Sequence, residues 1–333
     1  MNIINNTAAL RRRDVLRGTA AAVGSFIVAS PVFSQNYPGK PIRLVVPSAA
    51  GGAPDVICRL LGNELSVALG QPIIIDNKPG AGGALGMSEI ARAAPDGYTL
   101  GYGNVVTLAI NKSLYAKLPY DPDSLTGIAL MGTVQNALVV RNGLPVKTVR
   151  ELIDYAKARP GQLNIGSAGN GTTGHLGGEL FKSLTGTFIT HVPYRGSPTA
   201  IQDLIGGQID LMFDNLSSIG PHIKNGRVRA LGVSGKRRSA LFPQLPTIDE
   251  AGVKGYETTA WGGIVGPKGL PVEMVERLNV EINRILSTQA VREKYAQMAF
   301  ETMASPPNLL MTMAKIESPR WAEVVKRSGA KVE

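Results

Sequence analysis

Short apolar runs alternate with helical patterns along most of this chain. The first series consists of strand-like runs at 42–46, 72–76 and 98–102 and helical patterns at 54–69 and 83–94. A second series runs from LNIGS at 163–167 to VRALGVS at 228–234. Such alternation is typical of right-handed β-α-β units that build a parallel sheet. The pattern therefore predicts two successive lobes of α/β class.

Two further apolar runs connect the series. IALMGTVQNALVVRN at 128–142 is long enough to pass from one lobe into the other, and ETTAWGGIVGP at 257–267 predicts the returning strand. An amphipathic helix follows, with one apolar face that includes Val272, Val275 and Leu278. Two crossovers without a long linker predict lobes that hinge over a cleft. The predicted boundaries are 36–136 with 257–333 for lobe 1 and 137–256 for lobe 2.

The N-terminal segment has the three regions of an export signal. Arg12, Arg13 and Arg17 precede a mildly apolar stretch at 18–29, and small residues continue to Ser34. The apolar stretch is shorter than the roughly 20 residues that a membrane span needs. An uncleaved anchor and a basic arm for nucleic acid are the alternatives. We expect residues 1–34 to be a twin-arginine-like signal that directs the protein to the periplasm.

Composition restricts the classes of partner. The net charge of +10 favours acidic partners, but Lys and Arg are scattered and aromatic residues make up only 5% of the chain. We therefore expect no nucleic-acid surface. Cys58 is the single cysteine, and the three histidines lack metal-ligand spacing, so we expect no disulfide and no metal site. No G-x-S-x-G motif is present to indicate a hydrolase.

Two glycine-rich turns are the strongest chemical signal. PSAAGGAPD at 47–55 and GSAGNGTTGH at 166–175 each follow a strand-like run and open a helix. The first N–H groups of a helix lack intrahelical partners and can bind an anion. The predicted donors include Gly51 and Gly52 in the first turn. Side chains that add donors in the second turn are those of Ser167, Asn170, Thr172 and Thr173.

An oxidoreductase is the alternative function. Gly169 to Gly174 matches G-x-G-x-x-G, a dinucleotide-binding pattern, and twin-arginine signals often export cofactor-containing enzymes. The next strand, however, ends without the acidic residue that binds ribose. Arg195 follows that strand and could suit a 2′-phosphate. A nicotinamide-dependent enzyme therefore stays open as the alternative to an anion receptor.

The order of motifs from about Tyr37 to the C-terminus resembles one protein family. It includes YPGKPIRLVVP at 37–47, IIIDNKPGAGG at 73–83, SAGNGTTGHLGGELFK at 167–182 and HVPYRGSPTAIQDLIGGQIDLMFDN at 191–215. The chain is similar to the Bug-type, or TctC-type, periplasmic solute-binding proteins. This resemblance implies a type II periplasmic-binding-protein fold, with two α/β lobes joined by two crossover strands around a ligand cleft. It further implies a receptor for a small organic acid, without catalysis and without a cofactor.

The resemblance also implies a set of ligand-binding residues. They are Ser48, Ala49, Gly51, Gly52 and Ala53 in the first turn; Ser167, Ala168, Gly169, Asn170, Thr172, Thr173 and His175 in the second; and Tyr194, Arg195, Gly196 and Asp214 beyond it. This chain has Ser48 where the family commonly has Phe, and Pro54 where it commonly has Ser or Thr. We expect a monomer that delivers its acid to a tripartite tricarboxylate permease, or that acts in sensing or scavenging without one.

Overall fold

The structure is a computed structural model that describes residues 37–330. The predicted export signal at 1–34 lies outside the described residues. The strands are β1 (Ile42–Val46), β2 (Ile73–Asn77), β3 (Thr99–Asn104), β4 (Thr126–Arg141), β5 (Asn164–Ser167), β6 (Thr190–Pro193), β7 (Leu211–Asn215), β8 (Val228–Val233), β9 (Thr259–Gly266) and β10 (Phe300–Thr302). Between residues 37 and 330, no helix is both long enough and apolar enough to cross a membrane.

Helices alternate with these strands in most of the chain. They are α1 (Ala53–Leu69), α2 (Ala84–Ala91), α3 (Asn111–Leu114), α4 (Val149–Lys157), α5 (Thr173–Thr185), α6 (Ser197–Gly206), α7 (Leu216–Lys224), α8 (Val272–Ser287), α9 (Gln289–Gln297) and α10 (Leu309–Ser328). A π-helical turn at Val106–Ile110 leads directly into α3. Turns of this type occur often at functional sites.

The strands form one continuous sheet with two parallel portions. Their order is β2-β1-β3-β9-β4-β7-β5-β6, and β8 and β10 also pair with β4. β1 is parallel to β2 and β3, and β5 is parallel to β6 and β7. β4 and β9 run antiparallel to their neighbours. Each parallel portion has the α/β crossovers that the alternating sequence pattern predicts.

β4 connects the two portions because its pairing partners change along its length. Residues 126–135 pair with β9, and 132–134 also pair with β10 on the other side. Residues 136–141 pair instead with β7 and β8. The partners change between Gln135 and Asn136, which is the point where a rotation of one portion against the other requires the least disruption of pairing.

Aromatic side chains fill the core on both sides of this point. Phe181, Phe213 and Tyr256 are buried together, with ring centroids 5.7 to 6.4 Å apart. Tyr295 and Phe300 are buried in the other portion, with centroids 5.2 Å apart. Each portion thus has its own packed core, which positions the loops between them.

Candidate functional site

The N-termini of several helices converge on one cleft. β1, β2, β5 and β6 each lead through a loop into a helix, namely α1, α2, α5 and α6, and β7 leads directly into α7. Carboxyl ends of parallel strands lie at one edge of their own portion of the sheet. The two portions run in opposite directions and pair with successive parts of β4, so their carboxyl ends face each other. The first residues or caps of these helices line the same cleft: Ala53, Gly83, Thr173, Ser197 and Asn215. The positive ends of the helix dipoles therefore face a common hollow.

The cleft has a volume of about 680 Å³, which lies in the range of small-molecule sites. Among the predicted residues, those that line it are Ser48, Ala49, Ala53, Ala168, Gly169, Asn170, Thr172, Thr173, Tyr194, Arg195, Gly196 and Asp214. Gly51, Gly52, Ser167 and His175 lie outside the lining. The structure thus brings both glycine-rich turns to one place, and the binding role of each residue stays a prediction.

Internal hydrogen bonds hold the first turn in shape. The Gly51 N–H donates to Asp55 Oδ2 at 2.8 Å, and the Gly52 N–H donates to the Ala49 carbonyl at 3.2 Å. Asp55 is buried and forms an ion pair with Arg59 at 2.9 Å. Because both glycine N–H groups have partners within the turn, they fix its geometry rather than face the cleft.

The second turn keeps free donors at the start of α5. Thr172 caps the helix, since its Oγ1 accepts the His175 N–H at 3.3 Å. The N–H groups of Thr173 and Gly174 have no hydrogen-bond partner among residues 37–330, and both residues line the cleft. These are the unpaired helix-terminal donors that an anion requires.

Two histidines, His175 and His191, hold the second turn in position. The Gly171 N–H donates to His175 Nδ1 at 3.0 Å, and Ser167 Oγ lies 2.7 Å from His191 Nε2. The two imidazole rings stack with centroids 4.0 Å apart. Burial lowers the pKa of His175 to about 3 and that of His191 to about 4, with the nearby Lys182 adding to both shifts. Both rings are therefore neutral and act as packing and hydrogen-bonding groups.

The same histidines lie near Glu179, and the three residues bring potential metal ligands within 4.8 Å of one another. The arrangement does not suit a metal ion. His175 Nδ1 already accepts a hydrogen bond, so its proton is on Nε2, the nitrogen 3.8 Å from Glu179 Oε1. That carboxylate oxygen is also 2.6 Å from Lys182 Nζ. We assign the group to support of the turn.

A third set of residues comes from the loop after β6 and from the end of β7. Tyr194 donates its hydroxyl to Asp203 at 2.7 Å. Arg195 is exposed and has no ion pair or hydrogen bond with any residue between 37 and 330. Asp214 is buried and accepts hydrogen bonds from Ser197 Oγ, at 2.6 Å, and from Ser218 Oγ. Burial raises the pKa of Asp214 to about 6, although these hydrogen bonds act in the opposite direction.

Sequence reasoning missed one wall of the cleft. The loop Pro79–Gly83, the polar residues Asn104 and Thr107, and Tyr115 all line it. PGAGG at 79–83 follows β2 and opens α2, which is the same pattern that identified the other two turns. Tyr115 has no comparable signal, because it follows α3 and belongs to no glycine-rich turn.

Loops of the two portions approach each other across the cleft. A Cβ built on Gly196 would lie 2.7 Å from Ala49 Cβ, and one built on Gly82 would lie 3.6 Å from the Asn170 carbonyl oxygen. A Cβ on Gly171 would overlap Leu114. Such close approach is available because glycine has no side chain. The structure therefore has the geometry of a cleft that is closed at its rim.

The sequence model of the tripartite tricarboxylate transporter family receptor, TctC, matches residues 57–330. The chain belongs to this family. Protein BugT of Bordetella pertussis is 35% identical to this TctC-family protein over 319 residues, which cover 94% of this chain and 98% of BugT. The comparison confirms the family that the motifs predicted.

Two solved structures are similar to this TctC-family protein throughout. Rpa4515 of R. palustris with adipate has a TM-score of 0.87 and 37% identity, and covers 89% of this chain and 100% of its own. The periplasmic binding protein BugD has a TM-score of 0.85 and 33% identity, with the same coverage. These similarities confirm the predicted two-lobed fold. They support a solute-binding receptor and not the nicotinamide-dependent oxidoreductase.

Proposed function

We propose that this protein is a periplasmic receptor that captures a small organic acid between its two lobes by hinge closure. The observation that carries the proposal is the convergence of helix N-termini from both portions of the sheet on one cleft. Similarity to a structure with bound adipate supports a carboxylate as the ligand. We propose that its entry into the periplasm depends on the segment at 1–34.

The proposed lobes are 36–136 with 257–333 and 137–256. The change of pairing partners within β4, between Gln135 and Asn136, supports a hinge at this boundary. We propose that the acid binds one lobe first and that closure then brings the other set of helix ends to it. Expulsion of water strengthens each charge–dipole interaction, which is worth about 0.3 to 2 kcal/mol per helix end.

The free donors of Thr173 and Gly174 are the proposed contacts of one carboxylate in lobe 2. The cleft-facing residues Ser48, Ala49 and Ala53 form the opposing wall in lobe 1, and Arg195 supplies a cation. Gly51, Gly52, Ser167 and His175 act indirectly in this proposal, because they shape the two turns. Ser48 and Pro54 stand where an aromatic side chain and a hydroxyl are common in the family, and Pro54 has no backbone N–H to donate to a ligand.

Closure changes the shape of the receptor, and a membrane partner can recognise the closed form. A ligand that binds the closed form better shifts the population toward it, and a permease can then distinguish loaded from empty receptor. We propose a tripartite tricarboxylate permease as the partner of a monomeric receptor, without a catalytic role for the receptor itself. Uptake by cells that lack this protein tests the role in transport directly.

A thermal-shift panel of mono-, di- and tricarboxylates tests the ligand class. We expect at least one acid to raise the melting temperature in proportion to the logarithm of its concentration, as linkage requires. Native mass spectrometry of freshly purified protein should reveal the same class of acid. Stabilisation by no carboxylate, or stabilisation by nicotinamide compounds alone, would contradict the proposal.

A further inference from the structure

Asn136 is a buried amide on β4 that the packing of the fold does not explain. It is fully buried and is the first residue of β4 that pairs with β7. Its Oδ1 accepts a hydrogen bond from Asn215 Nδ2, whereas its Nδ2 is buried and donates to no acceptor between residues 37 and 330. An unpaired buried donor lowers stability, and an apolar side chain of similar shape would avoid this cost. The amide therefore requires an explanation other than the stability of the fold.

The backbone of Asn136 is held in place without its side chain. Its N–H donates to Ser234 Oγ and its carbonyl accepts from the Ser234 N–H, both at 2.9 Å. Ser234 Oγ in turn donates to the Thr258 carbonyl. Ser234 follows β8 and Thr258 precedes β9, so these contacts join β4 to the start of the returning strand. The side-chain amide of Asn136 is not needed for this connection.

The Asn136 side chain connects to the cleft through Asn215. The two residues lie opposite each other in the β4–β7 pair, and Asn215 lines the cleft. Asn215 is the N-cap residue of α7, but its side chain does not cap that helix. Its Nδ2 is bound to Asn136, and its Oδ1 has no hydrogen-bond partner between residues 37 and 330. The side chain of Asn215 therefore has a free acceptor at the cleft wall.

Asn136 determines which polar atom of Asn215 is free. An asparagine side chain carries an acceptor and a donor on one planar group. While Nδ2 is bound to Asn136, Oδ1 is the atom left for a ligand, and without that bond the amide can rotate and present either atom. Asp214, the preceding residue, also lines the cleft and has no ion pair within the described residues. Its carboxylate adds further acceptor capacity at the same end of β7.

We propose that the end of β7 is a subsite for a hydrogen-bond donor of the solute, and that Asn136 is its positioning residue. Asn215 Oδ1 accepts from this donor, which is a hydroxyl or an ammonium group carried by the acid, and Asn136 keeps Oδ1 turned toward it. This inference rests on the proposed function, since it concerns the solute of the same cleft. It adds to that function a preference for substituted acids over their unsubstituted parents.

Isothermal titration calorimetry with matched sets of acids tests the subsite. Each set has one carbon chain with no donor, a hydroxyl or an ammonium at carbon 2: succinate, malate and aspartate; glutarate, 2-hydroxyglutarate and glutamate; adipate, 2-hydroxyadipate and 2-aminoadipate. In a set that binds, we expect the better substituted acid to bind at least about threefold more tightly than its parent. A smaller ratio in every set that binds would overturn this inference and leave the receptor function intact. Binding by no member of these sets would also overturn the inference, and binding by no carboxylate at all would overturn the receptor function as well.

Asn136→Leu separates the positioning role from a structural one. Leucine has a similar branched shape, removes the unpaired donor and leaves the backbone bonds to Ser234 in place. Because Asn136 lies outside the cleft lining, a purely structural role predicts an unchanged ratio between the affinities of the substituted acid and its parent. We expect this ratio to fall at least about threefold. Gln135→Leu makes the same amide-to-leucine change at a buried neighbour outside the lining and should keep the wild-type ratio, so equal ratios in the two variants would contradict the proposal.

Asn215→Ala provides a second test at the partly exposed end of the contact. It removes Oδ1 directly, so the affinity ratio should fall as far as it does in Asn136→Leu. The double variant should show the ratio of Asn215→Ala alone, because Asn136 acts through Asn215. A wild-type ratio in Asn215→Ala, or a further loss in the double variant, would exclude this mechanism.

Discussion

Replacing Arg195 with glutamine removes the cationic side chain from the described lining of the cleft while keeping much of its length. A hydrogen bond to a charged group contributes about 1.5 to 3 kcal/mol of net stabilisation. Arg195 is exposed in the structure, so we take the lower end of this range for its contact with a ligand carboxylate. The dissociation constant should therefore increase about tenfold. Because Arg195 has no protein partner between 37 and 330, the free energy of unfolding should stay nearly constant.

Calorimetric titration with the tightest-binding acid measures this effect, and Arg277→Gln is the matched control. Arg277 is exposed on α8 and lies outside the lining, so this variant loses the same charge without losing the contact. Added salt should weaken binding by the wild type more than binding by Arg195→Gln, because screening acts on the interaction that the variant lacks. Affinities within twofold for wild type and both variants would refute the assigned role of Arg195.

Further predictions concern closure and the second turn. Ala49→Leu should obstruct the rim of the cleft at a cost of about 1 to 3 kcal/mol, so calorimetry should show binding at least about fivefold weaker. The control Ala50→Leu should leave the affinity unchanged. Equal effects of the two substitutions would contradict the closure model. His175 and His191 are neutral when folded, so their contribution to stability should be complete above pH 6.5 and should be lost as the pH falls to about 4 for His191 and about 3 for His175, by up to about 1.4 kcal/mol per pH unit for each ring. Urea denaturation that shows no such loss would exclude this. Thr172→Ala should reduce the free energy of unfolding, measured with urea, by about 1 kcal/mol because α5 loses its N-cap. Thr190 is exposed, so Thr190→Ala is the control. A loss in Thr172→Ala no larger than in this control would contradict the capping role.

The sequence predicted the architecture well because its signals are local. The alternation of strands and helices gave the two series, and the apolar run at 128–142 gave most of β4. The helix from Val272 was predicted with Val272 itself on the buried face, and this was wrong. Val272 is 66% exposed because it occupies the first position of α8, before the helix reaches the core.

The residues of the cleft could be predicted from the sequence only in part. A glycine-rich turn indicates that N–H groups are close together, but it does not show which of them have partners. Gly51 and Gly52 use their N–H groups within the turn, whereas Thr173 and Gly174 keep theirs free. Tyr115 lines the cleft at the end of α3, a position that no glycine-rich turn indicates. The engagement of Asp214 depends on Ser197 and Ser218, which only the fold brings to it.

A crystal structure of the protein with the tightest-binding acid from the panel tests the central claim most directly. We predict one acid in the cleft, with a carboxylate within hydrogen-bond distance of the N–H groups of Thr173 and Gly174. The same molecule should also contact the wall formed by Ser48, Ala49 and Ala53. An acid bound outside the cleft, or bound in the cleft by residues of only one lobe while the rim is closed, would contradict capture between two lobes.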